Sequence, residues 1–193
     1  MEPIETKTIG KYKIEILHDD QPFDPREDDN LGTMVCFHNG YNLGDKHDYN
    51  QTDYCGWDEL KDAIIKNENV GVILPLFLYD HSGITMNTTG FHCPWDSGQV
   101  GFIFISKEKI RYEYSKKRIS KQLIKRVSGY LKSNVETYDQ YLTGDVYGYR
   151  ITNTETDEEM DNSWGIFGSE YCMEEAEGVV KNIVDYEEKQ LQE

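Results

Sequence analysis

The sequence has few cysteines, and no two of them are closely spaced. The four cysteines stand at positions 36, 55, 93 and 172, without any Cys-x-x-Cys pair. Structural zinc modules use paired ligands at short spacing, so no such module is predicted. Scattered cysteines are typical of a reducing compartment, and we expect four free thiols in a cytosolic protein.

Long apolar runs are also missing. No stretch approaches the roughly 20 apolar residues that a membrane-spanning helix needs. The start, Met-Glu-Pro-Ile-Glu-Thr-Lys, does not follow the charged-then-apolar pattern of a signal peptide. We therefore expect a cytoplasmic protein that has no membrane partner.

The sequence contains none of the short motifs that mark common catalytic and phosphate-binding sites. There is no Gly-x-Ser-x-Gly, no Gly-x-Gly-x-x-Gly and no Gly-x-x-x-x-Gly-Lys-Ser/Thr. Neither the nucleophile turn of a serine hydrolase nor a loop that cradles phosphates is predicted, and we expect no cofactor.

Basic residues are outnumbered by acidic ones. The chain has 20 Lys and Arg against 36 Asp and Glu, a formal charge of -16. This charge favours solubility and disfavours direct binding to DNA, because Lys and Arg make the phosphate contacts. The basic residues are nevertheless concentrated: residues 107–132 hold ten of them and two acidic residues. Such a run is typical of the solvated side of a helix, and the alternative is a phosphate contact.

Two apolar runs enclose a dense polar insert. Val72–Tyr79 and Val100–Ile105 are rich in β-branched and aromatic residues, which predicts two buried strands. Polar groups so concentrated at the ends of strands form a binding or catalytic surface, or a satisfied hydrogen-bond network. The residues that we predict to form a binding surface are Asp80, His81, Ser82, Trp95, Asp96, Ser97 and Gln99.

The order of the predicted elements indicates an α+β fold. Strands are predicted over 11–17, 33–38, 145–152 and 164–167, with helices after Gly56, over 107–114, from Ser120 to about Leu142, and after Ser169. Strands and helices do not alternate regularly, so we predict a single domain over 1–193 with a mainly antiparallel sheet. Three or four helices are expected, including a long basic helix and an acidic C-terminal helix.

The polar insert also contains candidates for catalysis and for metal binding. Asp80, His81 and Asp96 are suited to acid-base catalysis, with Cys93 and Asp139 as further members, if the fold brings them within hydrogen-bonding reach. His81, His92 and Cys93 are weaker candidates for zinc ligands, because adjacent ligands reach one metal only in an irregular loop. We expect no bound metal and a loop held by hydrogen bonds. An acidic loop is predicted over 18–30, and its residues 24–30 are predicted to form a solvated turn rather than a cation site.

Several aromatic residues are candidates for a protein interface. Trp95 follows Pro94 in a polar, glycine-rich segment, where a partner can reach it, so it is the best single candidate. Trp57 and Trp164 are predicted to lie in the core. The run 138–141, with two tyrosines, is a further interface candidate.

Five strings of the sequence are long enough to be distinctive. They are DNLGTMVCFH (29–38), YNLGD (41–45), LYDHSGIT (78–85), CPWDSGQVG (93–101) and TYDQYLTGDVYG (137–148). Together they resemble a family of uncharacterised proteins carried by bacteriophages and other mobile elements, and the resemblance covers about residues 28 to 168. It implies a protein that works in the cytoplasm of a bacterial host cell, and small acidic phage proteins include inhibitors of host defence of the anti-CRISPR and anti-restriction type.

Two functional hypotheses follow, and we favour binding over catalysis. In the first, the chain is an accessory protein that docks through its acidic surface on a host protein, at a basic channel that normally holds nucleic acid. In the second, it is a hydrolase or transferase acting on nucleotides or nucleic acid, with an Asp/His site in the 80–99 segment. A sponge for a signalling nucleotide ranks below both.

Overall fold

The computed structural model describes residues 2–190. The strands are β1 (Glu5–Ile9), β2 (Tyr12–His18), β3 (Thr33–Cys36), β4 (Val70–Asp80), β5 (Ile84–Asn87), β6 (Ser97–Ser106), β7 (Val146–Asn153) and β8 (Glu158–Phe167). The helices are α1 (Trp57–Asn67), α2 (Lys107–Glu113), α3 (Lys121–Thr143) and α4 (Ser169–Gln190), and single 3-10 turns lie at Pro25–Glu27 and Gln51–Asp53. Residues 2–23 and 144–190 form one compact unit, the terminal unit, and residues 24–143 form another, the central unit.

The terminal unit is an antiparallel sheet with one helix on it. Its strand order is β1-β2-β7-β8. Strand β2 alternates, so that Tyr12, Ile14 and Ile16 lie in the core beside Ile151 of β7. Helix α4 packs on this sheet with apolar residues that include Cys172, Ala176 and Val180, whose spacing of four places them on one helical face.

The central unit has a sheet that helices cover on both faces. Its strand order is β3-β6-β4-β5, and every pairing is antiparallel. Ile103 of β6 packs in the cluster that contains Val127 and Leu131 of α3. Phe102 and Phe104 of the same strand belong to the cluster of α1 on the other face. Burial on both faces explains why these strands read as continuous apolar runs in the sequence.

The structure confirms the predicted α+β class with antiparallel sheets and four helices. The two predicted apolar strands correspond to β4 and β6, which are direct neighbours, with Leu74 paired to Ile103. Strands β1 and β5 were not predicted, and β8 begins at Glu158, six residues before the predicted start. The first half of β8 is polar and exposed, so no apolar alternation marks it. The prediction of one domain over the whole chain stays a prediction.

Candidate functional site

The polar insert does not form one loop. It forms a tight turn, a short strand and then a loop. Strand β4 ends at Asp80, a three-residue turn leads into β5, and the loop 88–96 returns to β6. Asp80 pairs with Ile84 and Tyr79 with Ser97, so the last residues of β4 and the first residues of β5 and β6 lie together at one end of these strands. We call residues 80–84 and 91–97 the tip. The backbone N–H of Asp80 donates to the carbonyl of Asp96 over 2.8 Å, which joins the two halves of the tip.

The turn at 81–83 explains the position of His81. Ser82 and Gly83 have φ angles of 59° and 155°, and the N–H of His81 donates to the carbonyl of Gly83 over 3.0 Å. Few residues adopt this region readily except glycine, so Gly83 suits the sharp reversal. The reversal leaves the side chains of Asp80, His81 and Ser82 exposed at the end of a rigid strand pair.

Three of the predicted residues come together in the tip. The Nδ1 atom of His81 lies 3.6 Å from Oδ2 of Asp96, and the thiol of Cys93 lies 3.5 Å from the same oxygen. The hydroxyl of Ser97 donates to the carbonyl of Cys93, which closes the 93–97 turn. The His81 side chain is 64% exposed and that of Asp96 38% exposed, so both remain in contact with water.

Trp95 is the most exposed aromatic residue of the tip. Its exposure is 91%, so nearly the whole indole surface faces solvent. Leaving a large apolar side chain in water forgoes the roughly 1.5–3 kcal/mol that burial of such a side chain gains. The predicted accessibility of Trp95 is therefore confirmed.

Two other predicted residues, Gln99 and Asp139, make hydrogen bonds outside the tip. The side-chain amide of Gln99 donates to the carbonyl of Gly101 over 3.2 Å, along β6. The carboxylate of Asp139, on α3, accepts hydrogen bonds from the Thr85 hydroxyl at 2.7 Å and from the Met86 N–H at 2.6 Å. Asp139 thus anchors β5 to α3 and is engaged in structural bonds.

The aromatic predictions are corrected in two places. Trp164 was expected in the core, but it lies on the polar strand β8 and is 46% exposed. Tyr138 was an interface candidate, but it is buried in the core of the central unit, where burial raises the pKa of its phenol to about 12. Its hydroxyl accepts a hydrogen bond from the N–H of Gly44. Trp57 packs against Phe37 and Phe102, as predicted for a core residue.

The segment 37–54 borders the tip, and no pattern of residues indicates this. The hydroxyl of Tyr41 lies 3.5 Å from Oδ1 of Asp80, and the Tyr41 ring stacks on His38 with centroids 5.0 Å apart. An irregular polar segment has no periodicity, so its neighbours in space are not predictable from spacing. Tyr41, which is 42% exposed, therefore adds an aromatic side chain to the surface beside the tip.

Two neighbouring cavities lie along this segment. One has a volume of 460 Å³ and is lined in part by His47, Tyr49 and Glu68; the other has a volume of 570 Å³ and is lined in part by His38, Tyr41 and His47. The hydroxyl of Tyr49 donates to Glu68, and burial together with this bond raises its pKa to about 12. No residue of the tip lines either cavity.

A buried ion pair fixes the segment in place. The guanidinium of Arg26 makes two bonds to the carboxylate of Asp45, at 2.8 and 2.6 Å, and a third to the carbonyl of Gly32 at 2.8 Å. Asp45 also accepts from the N–H of Met34 at 2.8 Å. The 3-10 turn at Pro25–Glu27, inside the acidic loop, supplies this arginine, so the predicted solvated loop also has a structural role.

Comparison of the chain with protein-family models, with curated protein sequences and with solved structures found no match. The resemblance to a phage-borne family therefore depends on the sequence strings alone.

Within residues 2–190, the structure contains no group of three or more His, Cys, Asp or Glu side chains placed to hold a metal ion. No helix in that part of the chain is both long and apolar enough to cross a membrane.

Proposed function

We propose that this chain is an accessory protein that binds a basic, nucleic-acid-binding surface of another protein. The observation that carries the proposal is the distribution of charge. Residues 2–23 and 144–190, the terminal unit, hold eighteen acidic and six basic residues, whereas the central unit holds seventeen and fourteen. The terminal unit therefore has a formal charge of -12 and the central unit only -3.

The carboxylates of the terminal unit are available to a partner. Four of its six basic side chains are already paired with carboxylates of the same unit. Exposed acidic residues remain along α4 and around the β7–β8 turn. They include Glu155, Asp157, Glu158, Glu170, Glu174, Glu175, Asp185 and Glu188. A surface of this kind is complementary to a basic channel and speeds association with it.

The tip supplies a candidate for specificity. Trp95 stands exposed on a rigid support, and tryptophan is the residue type most enriched among those that dominate binding energy. Asp80 and Asp96 flank it with carboxylates, and Tyr41 adds a second aromatic side chain. Burial of Trp95 by a partner would recover the hydrophobic free energy that the isolated chain forgoes.

We further propose that the setting is a phage or another mobile element in a bacterial cell. The support is the resemblance of the five sequence strings, together with the acidic composition. In this setting the partner is a host protein that handles nucleic acid, and binding inhibits or modulates it, as anti-restriction and anti-CRISPR proteins do.

Affinity capture with competition tests the proposal. Tagged chain is incubated with nuclease-treated host lysate at rising salt, and each captured protein is purified and tested for binding to a labelled duplex. We expect a nucleic-acid-binding protein whose capture falls as salt rises and whose duplex is displaced by this chain. Capture of no such protein at low salt, or capture without displacement, would contradict the proposal.

Two variants locate the contacts. E174Q/D185N/E188Q removes three exposed carboxylates from α4, and W95A truncates the tip. Both are expected to weaken capture, with the triple variant also less sensitive to salt. The matched control is D48N/D53N/D62N, which removes three exposed carboxylates from the central unit and should capture the partner almost normally.

A second candidate function has one observation in its favour. His81 and Asp96 lie 3.6 Å apart, which permits acid-base work, although both stand in an open tip. The test is incubation with labelled nucleoside triphosphates and with single-stranded and duplex oligonucleotides. Turnover that H81A and D96N abolish would favour the enzyme. Turnover by both variants equal to that of the wild type would exclude this pair of residues.

A further inference from the structure

The run of basic residues forms a cavity rather than a uniformly solvated helix side. Its volume is 460 Å³, and four cations contribute to its lining: Lys107 and Arg111 of α2, and Lys117 and Arg118 of the following loop. Ile119 and Ile124 line it as well, and no acidic side chain of residues 2–190 does. The chain has a net charge of -16, but the four cations around this apolar floor make the electrostatic potential locally positive.

These cations are not neutralised by carboxylates of the described chain. Among residues 2–190, no Asp or Glu lies within ion-pair distance of Arg111, Lys117 or Arg118, and the ammonium group of Lys107 donates to the amide oxygen of Asn69, at 3.4 Å, instead of to a carboxylate. Their neighbour Lys109 differs, because it pairs with Asp29. Like charges that line one cavity repel each other, and an anion bound in the cavity relieves that repulsion.

The basic surface continues from the cavity along α3. Lys121, Lys125 and Lys132 are exposed and share one side of the helix at 100° per residue, about 60–100° around the helix from Ile124, which lines the cavity. Eleven residues of helix rise about 16 Å, which is long enough for several phosphates of an extended strand. We call the cavity and these lysines the basic track.

We propose that the basic track binds the phosphate backbone of a single-stranded nucleic acid. Two features favour a strand over an acidic protein. The apolar floor suits a sugar or base between phosphates, and Tyr112, which follows Arg111 on α2 outside the cavity, is 82% exposed, as a stacking platform for a base requires. Ser120 caps α3 through the N–H of Leu123, so the positive end of the helix dipole also faces this region.

The net charge of the chain does not exclude this site. At physiological salt the Debye length is about 8 Å, so exposed charges farther away are largely screened and the local cations decide. The proposal therefore departs, for single strands at this surface, from the expectation from composition that the chain does not contact DNA directly. The proposal goes beyond the proposed function, since it concerns a different surface, the basic track and not the tip or the terminal unit, and a nucleic acid instead of a protein partner.

Fluorescence anisotropy with a labelled oligothymidylate of about 20 nucleotides tests the site. We expect a Kd between about 1 and 100 µM near physiological salt and a salt slope of about -5 if all seven cations of the basic track make contacts. K117A/R118A should weaken binding at least about tenfold and reduce the slope to about -3.5. K46A/K66A removes two exposed lysines of the same unit that do not line the cavity, and it should bind like the wild type.

The outcomes are distinguishable from each other and from folding defects. Both variants alter exposed side chains, and unchanged thermal unfolding is checked first. Equal weakening by both double variants, or no binding at about 100 µM oligonucleotide, overturns the site. Competition by poly-glutamate as strong as by oligothymidylate overturns the choice of nucleic acid in favour of an acidic protein. Thymidine mononucleotides should compete only weakly, because one phosphate engages few of the cations, and competition equal to that of the strand overturns the track.

Discussion

Asp45 shows how a single carboxylate organises a segment without regular structure. It accepts two bonds from Arg26 and one from the N–H of Met34, and the Arg26 side chain is only 3% exposed. A buried cation is stable only while its partner and hydrogen bonds remain. The neighbouring Gly44 has a φ of 70°, and a Cβ there would lie 2.9 Å from the carbonyl oxygen of Met34. Both residues therefore fix the path of the chain beside β3.

Replacing Asp45 with Asn should destabilise the protein by about 2–4 kcal/mol. The variant leaves the Arg26 charge buried without a compensating carboxylate, and removal of one partner of a buried pair costs about 3–5 kcal/mol. The value is lower here because the Asp45 side chain is 21% exposed. Urea unfolding followed by tryptophan fluorescence measures the change. The control D48N alters an exposed carboxylate and should cost under about 0.5 kcal/mol.

Glu15 should make stability depend on pH. Burial by itself raises the pKa of Glu15, but the interactions with Lys13 and Arg150 lower that pKa by more than burial raises it. The net pKa therefore lies below the usual 4.5. A folded pKa below the unfolded one means that the ionised form stabilises the fold above about pH 4.5. This stability is lost as the pH falls through the folded pKa.

The variant E15Q isolates this contribution. We expect it to cost about 1–2 kcal/mol at pH 7, a value discounted for the partly exposed partners. The difference from the wild type should shrink below about pH 4.5. Urea titrations at several pH values measure it, and a difference that does not change between pH 7 and pH 3 would contradict the assignment.

At the scale of elements, β4 and β6 hold the tip and α3 supports it. The two strands were predictable because burial on both faces requires continuous β-branched and aromatic runs. Strand β5 was not predictable, because its four residues lie in a polar stretch and are held by the carboxylate of Asp139 from α3. Strand β8 was predicted too short for a related reason: it is an edge strand with exposed polar side chains.

Replacing Asp139 with Ala should release β5 from α3. The Thr85 hydroxyl and the Met86 N–H lose their acceptor, so amides of residues 84–87 should exchange hydrogen about ten times faster or more, as local opening becomes easier. Hydrogen exchange followed by mass spectrometry measures this. Amides of β6 serve as the internal control, and acceleration of both strands alike would indicate general destabilisation instead.

At the scale of the whole molecule, the charge of -16 opposes folding through self-repulsion. Raising the salt concentration from about 20 to 300 mM shortens the Debye length and should raise the Tm by about 2–4 °C, which corresponds to about 1 kcal/mol. Differential scanning calorimetry measures the shift. The variant E174Q/D185N/E188Q, with three fewer charges, should show a smaller rise, and an equal rise would contradict repulsion as its cause.

The sequence by itself determined the fold class, the order of most elements and the two central strands. The reason is that the local spacing of apolar residues reflects the period of a helix or strand and which of its faces is buried. It also located the polar stretch that contains Trp95. Only the tertiary structure placed Tyr41 beside Asp80, set Asp139 under β5, buried Tyr138 and gathered four cations around one cavity. The first three relations join residues that are distant in the chain, and the cavity depends on how α2, the following loop and α3 pack, which no local spacing encodes.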